Sequence, residues 1–152
     1  MNKVQYDLIY LAACGVNNVR ADEAVLGDVD MEALYRMRCR HFMEALAGTV
    51  FKNAGITIPQ AWNERISKAI RKALLFDTER AKILAFMEQE EIWYLPLKGV
   101  ILKDYYPSVG MRQMSDNDIL FDYSFCDKVR KYMESLGYDT DGTARGNHDG
   151  DK

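Results

Sequence analysis

The chain has 152 residues, 48% of them apolar, 28% charged and 11% aromatic, and carries a net charge of −3 from 20 Lys and Arg against 23 Asp and Glu. A chain this long can bury about 70% of its unfolded surface without a disulfide or metal staple, and average composition excludes a disordered, collagen-like or low-complexity protein. The acidic balance argues against polymeric nucleic acid as a partner, because binding through phosphates calls for a basic surplus, and favours a small nucleotide, a metabolite or a protein.

Val4, Leu8, Ile9, Leu11 and Ala12 follow helical spacing up to Gly15. Asp30 is the predicted N-cap of a helix that runs to Gly55, with Leu34, Met37, Phe42, Leu46 and Val50 as its buried stripe. Pro59 is placed to open the next helix. From there to about Glu91 no Gly or Pro interrupts the chain, and Trp62, Ile66, Ile70 and Leu74 recur every four residues, followed by Leu84 and Met87. The spacing predicts one long helix, or two in line, with a polar face of Glu64, Lys68, Lys72 and Arg80. Arg65, Lys68, Arg71 and Lys72 form a basic stretch over two turns, read as a solvated face with an acceptor-binding surface as the alternative.

The pattern changes at Ile92. The run IWYLPL is short, aromatic and β-rich, and Lys98-Gly99 ends it, which predicts a buried strand with Pro96 at an edge or strand end. A short helix, VILKDYY, and a turn from Pro107 to Gly110 follow; then DNDILF predicts a second strand. Phe125, Val129, Tyr132, Met133 and Leu136 share one face of a predicted helix, with Ser124 and Asp127 as its cap and Gly137 at its end. The last stretch, from Asp139, is polar and Gly-rich, and reads as a tail rather than a calcium loop, since Thr143 and Gly150 would fill ligand positions.

Cys14, Cys39 and Cys126 form no CxxC pair and the histidines are only His41 and His148, so no zinc site of standard spacing exists. The odd cysteine count, the absence of a signal-peptide pattern and the absence of a long apolar run predict reduced thiols in a cytoplasmic protein with no membrane span.

The segment that carries chemistry is LPLKGVILKDYYPSVGMRQMSDNDILF. Asp116 and Asp118 are two apart at the start of a predicted strand, so both carboxylates point to one side and can share a hard cation such as Mg²⁺. Lys98-Gly99, between a strand and a helix, is a predicted phosphate cradle, with Lys98 and Arg112 as cations for a polyphosphate. The same residues also admit a plain reading, with Asp116 as a turn residue and Asp118 at a solvated strand edge.

The order LKG, Tyr-Pro turn, Arg, D-x-D strand, helix and LGY resembles the uncharacterised bacterial nucleotidyltransferase family of the polymerase-beta-like superfamily, most clearly over residues 93 to 138. The resemblance implies an α+β fold: a helical region over 1–91, a minimal nucleotidyltransferase-like mixed sheet with flanking helices over 92–138, and a flexible tail over 139–152. It implies transfer of a nucleoside monophosphate from a nucleoside triphosphate to a hydroxyl of a small molecule or protein. Asp116 and Asp118 would be the catalytic and metal-binding pair for two Mg²⁺ ions, with Lys98, Gly99 and Arg112 binding phosphates. Lys98-Gly99 replaces the wider superfamily's Gly-Ser, and Asn117 stands where an apolar residue is usual. Such enzymes also take a third carboxylate from a later strand that this sequence does not reach before Lys152, which implies impaired transfer. The alternatives are a catalytically inactive nucleotide-binding or protein-interaction module, and a helical scaffold in which DNDILF is only structural.

Overall fold

A computed structural model describes residues 1–38 and 43–139. The expectations for Cys39, His41, Phe42 and His148, and for the tail from residue 140 onward, lie outside the described residues.

Helix α1 (Lys3–Val16) opens on a capping box: Asn2 Oδ1 accepts from the Gln5 amide at 3.0 Å, and Gln5 Oε1 accepts from the Asn2 amide at 2.9 Å. A short α2 (Glu23–Gly27) is capped by Asp22. The helix expected from Asp30 to Gly55 is divided into α3 (Met31–Arg38) and α4 (Glu44–Asn53). Its two ends are where the sequence predicts them: Asp30 Oδ1 accepts from the Ala33 amide at 2.9 Å, and Gly55 has φ +77° just past the end of α4.

Helix α5 (Gln60–Gln89) is one helix of 30 residues beginning after Pro59. At about 1.5 Å per residue it is about 45 Å long, enough to serve two separate cores. Its first half packs with α1, α3 and α4, where Leu11, Leu34, Phe51 and Trp62 are fully buried and the Trp62 ring lies 5.5 Å from Phe51 and 5.9 Å from Tyr35. Its second half contributes Ile83 and Met87 to a smaller core with Ile92 and Val129.

The expected stripe of every fourth residue drifts by about 40° per step, because an α-helix turns about 100° per residue. Leu74 has thereby rotated out of the interface and is 52% exposed, while Ala73 takes the buried position. The same drift brings Arg80, expected on the polar face, onto the buried side, where its side chain is only 12% exposed.

Strand β1 (Tyr94–Pro96) pairs antiparallel with β2 (Ile119–Phe121), in the register Tyr94↔Phe121, Leu95↔Leu120 and Pro96↔Ile119. The α+β class holds. The sheet expected to be mixed is, among the described residues, this one antiparallel pair. Pro96 ends β1, as a residue without an amide donor should. Tyr94, Ile119 and Phe121 pack on the smaller core, whereas Leu95 and Leu120 face out. Between the strands lie α6 (Gly99–Leu102), a 3-10 turn over Lys103–Tyr105 and an irregular loop.

Helix α7 (Cys126–Ser135) covers the smaller core through Val129 and Met133, and Phe86 stacks on Tyr132 at 3.8 Å. The expected Ser124 cap is corrected: a 3-10 turn over Tyr123–Phe125 leads into α7, and Asp122 Oδ1 accepts from the Ser124 amide at 2.9 Å and the Ser124 hydroxyl at 2.8 Å. Gly137 ends the helix with φ +88°. Among the described residues no helix is long and apolar enough to cross a membrane.

The loop carrying the chemistry is held close to α5 by Gly110. Its φ is +86°, and a Cβ built there would lie 2.9 Å from Ile70 Cγ1 and 3.0 Å from the Ile70 backbone nitrogen. The helix backbone cannot yield. Gly110→Ala is therefore expected to lower stability by about 1–3 kcal/mol from backbone strain alone, read as a fall in the urea midpoint, with steric clash adding to it.

Candidate functional site

The turn that follows β1 is strained. Lys98 has φ +52° and ψ −117°, a region that residues with a Cβ rarely adopt and that glycine adopts freely. The turn carries the Lys98 ammonium onto the acidic run, where Nζ lies 2.8 Å from Asp118 Oδ2. The hydrogen bond and charge of Asp118, with a smaller contribution from the charge of Asp116, raise the Lys98 pKa against a small opposing effect of desolvation. Both carboxylates are thus felt by one cation.

Asp116 and Asp118 precede β2 instead of lying within it. The Leu97 amide donates to the Asp118 carbonyl at 2.9 Å, which extends the pairing between the two segments by one bond. Side-chain alternation is kept. Asn117 turns toward α5, while Asp118 meets Lys98 and Asp116 lines a cleft with it.

That cleft, of about 390 Å³, is lined by Lys98, Gly99, Arg112 and Asp116, with Tyr106 and Met114 among its other walls. Four of the five residues singled out in the sequence therefore share one cleft, and the fifth, Asp118, is ion-paired to one of them. Gly99 leaves little room for a side chain, since a Cβ there would lie 3.2 Å from Met114 Cγ and 3.8 Å from Arg112 Nη2. Arg112 donates from Nη1 to the Gln113 carbonyl at 3.1 Å and, among the described residues, is not paired with an aspartate. Tyr105, which precedes Tyr106, is 76% exposed and is not part of the cleft wall.

Sequence reading missed the device that positions the acidic run. Asn117 accepts from Arg80 Nη1 at 3.1 Å and donates from Nδ2 to the Phe76 carbonyl at 3.2 Å. Arg80 Nη2 donates to Asp77 Oδ1 at 2.6 Å, and Lys103 Nζ reaches Asp77 Oδ2 at 3.0 Å and Asp104 Oδ1 at 2.9 Å. One carboxylate of α5 thereby fixes both the segment after α6 and, through Arg80, the run before β2. Burial works against the charge on Asp77, but the hydrogen bonds from Arg80 and Lys103 outweigh it and lower its pKa. A usable signal existed: Arg80 is 18 residues after Trp62, about five full turns, so the two share a helix face.

The oxygen-only donor set of Asp116 and Asp118 suits a hard cation such as Mg²⁺, and the Lys98 ammonium already marks a place where positive charge is stabilised. Among the described residues no group of three or more His, Cys, Asp or Glu side chains is placed to hold a metal together.

A family model described as "Uncharacterised nucleotidyltransferase" matches residues 27–151 of the chain. No curated protein and no solved structure matches it.

Two outcomes follow from this geometry. Lys98→Gly and Lys98→Ala both remove the ion pair and differ in tolerance of positive φ, so the Gly variant is expected to be more stable by about 1 kcal/mol in urea unfolding. Asp77 has a lowered pKa, so its contribution to stability is present above the unfolded aspartate value of about 3.9 and is lost as pH falls through the folded value. The stability difference between wild type and Asp77→Asn should therefore be largest near neutral pH and shrink as pH falls below about 4, measured as urea midpoints across that range.

Proposed function

The chain belongs to the uncharacterised nucleotidyltransferase family, and on that premise we propose that the cleft between the Lys98 turn and Asp116 binds a nucleoside triphosphate and transfers its nucleoside monophosphate to a hydroxyl of a small molecule or protein. The observation that supports this reading is the gathering of opposite charges at one place: Lys98 and Arg112 share the cleft with Asp116, and Asp118 lies 2.8 Å from Lys98.

Each side chain has a definable task in such a transfer. Lys98 is largely exposed beyond its contact with Asp118, so its ammonium can turn from the carboxylate to phosphate oxygens through the flexible stem. Gly99 lets the chain pass close to Met114 without a side chain between the cleft and the turn. Arg112, whose guanidinium is bonded among the described residues to a backbone carbonyl, retains donors for a phosphate. Asp116 and Asp118 would hold Mg²⁺, which when bound would draw charge from the phosphate oxygens and stabilise the pyrophosphate that leaves. The bond formed joins the acceptor oxygen to the α-phosphorus, the bond broken joins that phosphorus to the bridging oxygen of pyrophosphate, and the proton of the acceptor hydroxyl passes to solvent.

The Lys98–Asp118 pair also favours a second reading, a module that binds nucleotide but does not transfer it, because one carboxylate of the pair is neutralised internally. Calorimetric titration with Mg–ATP and Mg–CTP tests the binding shared by both readings. Wild type is expected to release heat with at least one of them, and Asp116→Ala/Asp118→Ala to lose about tenfold or more in affinity, the effect of about 1.4 kcal/mol. Equal titrations for the two proteins would overturn it. Pyrophosphate release in the presence of a cell extract as acceptor source separates transfer from binding alone.

A further inference from the structure

A second cleft, of about 200 Å³, shares the Arg112–Ser115 segment with the first and is lined on its other part by α5. Arg65, Lys68 and Lys72 line it from the helix, and Arg112 and Gln113 from the loop. The helical phases explain the grouping. Residues 65, 68 and 72 lie within about 60° of one another on the flank of α5 beside its buried stripe.

Among the described residues, Arg65, Lys68 and Lys72 form no ion pair, and the Arg112 hydrogen bond goes to a carbonyl. The Lys72 ammonium sits 5.0 Å over the Phe76 ring, which keeps it at the cleft. Gln113 adds a buried Nε2 amide that finds no acceptor among the described residues. Glu44 is the single acidic residue on the lining, set against four cations. Like charges gathered without partners repel one another, and a bound anion of about two charges relieves that repulsion.

We propose that this basic cleft binds a phosphate group and that, given the nucleotide reading of the neighbouring cleft, the group belongs to the acceptor: the hydroxyl substrate is a phosphorylated compound anchored through its phosphate by Arg65, Lys68 and Lys72. Arg112 lines both clefts, so one guanidinium lies between the two anions.

The test uses the full chain, with inorganic phosphate as probe and a non-hydrolysable ATP analogue with Mg²⁺ as the nucleotide. Phosphate is expected to bind wild type more weakly as ionic strength rises, and Arg65→Gln/Lys68→Gln/Lys72→Gln to lose about tenfold or more in phosphate affinity. The charge-retaining variant Arg65→Lys/Lys68→Arg/Lys72→Arg should recover it, which separates charge from folding. Asp116→Ala/Asp118→Ala should keep the phosphate site. Phosphate and the Mg-bound analogue should bind together without competing. Unchanged phosphate affinity in the Gln variant overturns the site, and full competition between phosphate and the analogue overturns the acceptor assignment by placing the triphosphate in this cleft. Failure of the analogue to bind wild type would remove the nucleotide reading, and with it the acceptor assignment, while phosphate binding that depends on Arg65, Lys68 and Lys72 would still stand as a separate result.

Discussion

Helix α5 must bury one face against two cores, and the contacts at its middle decide where the chemistry sits. Trp62 and Ile66 serve the larger core, Ile83 and Met87 the smaller, and Arg80 lies on the same side between them. A guanidinium that is largely buried must be fully engaged, because an uncompensated charge in that setting is costly. Asp77 and Asn117 engage it, and Lys103 completes the arrangement from the other segment. The positions of the Asp116–Asp118 run and of the stretch after α6 therefore follow from the rotational phase of one helix.

Around that fixed point the charges are sorted by side. Toward the Lys98 turn, two aspartates face one strained lysine, and the strain is local: a residue with a Cβ occupies a conformation that glycine adopts freely, and its ammonium rests on Asp118. Toward α5, several cations line a cleft with one carboxylate among them. The segment Arg112–Ser115 lines both, and just before it Gly110 lets the loop approach the helix backbone closely. A chain that is acidic overall thus carries a basic site, which its net charge alone does not suggest.

Local signals were read well where one residue carries the constraint. Asp30 caps, Gly55 and Gly137 stop helices with positive φ, Pro59 precedes a helix, and Pro96 ends a strand, each through its own backbone chemistry. Readings that extrapolate over several turns fared worse. Counting by fours carried Leu74 into the core and Arg80 out of it, because the mismatch with the true helical repeat accumulates. Ser124 was a plausible cap by type, but Asp122, two residues earlier, takes the bonds as a 3-10 turn forms ahead of the helix.

The sequence by itself determined the class of fold, the helix–strand–helix–strand–helix order from Gln60 onward and the segment from Lys98 to Asp118 where cations and carboxylates recur at short spacing. Those are properties of neighbours along the chain, set by periodicity, caps and the alternation of a strand. Only the tertiary structure decided that Asn117 is held by Arg80 across 37 positions, that Lys98 closes onto Asp118, and that Arg65, Lys68 and Lys72 face Arg112 across a cleft. Such pairings depend on which helix faces survive the competition for burial, and that competition is settled by the packing of the whole chain.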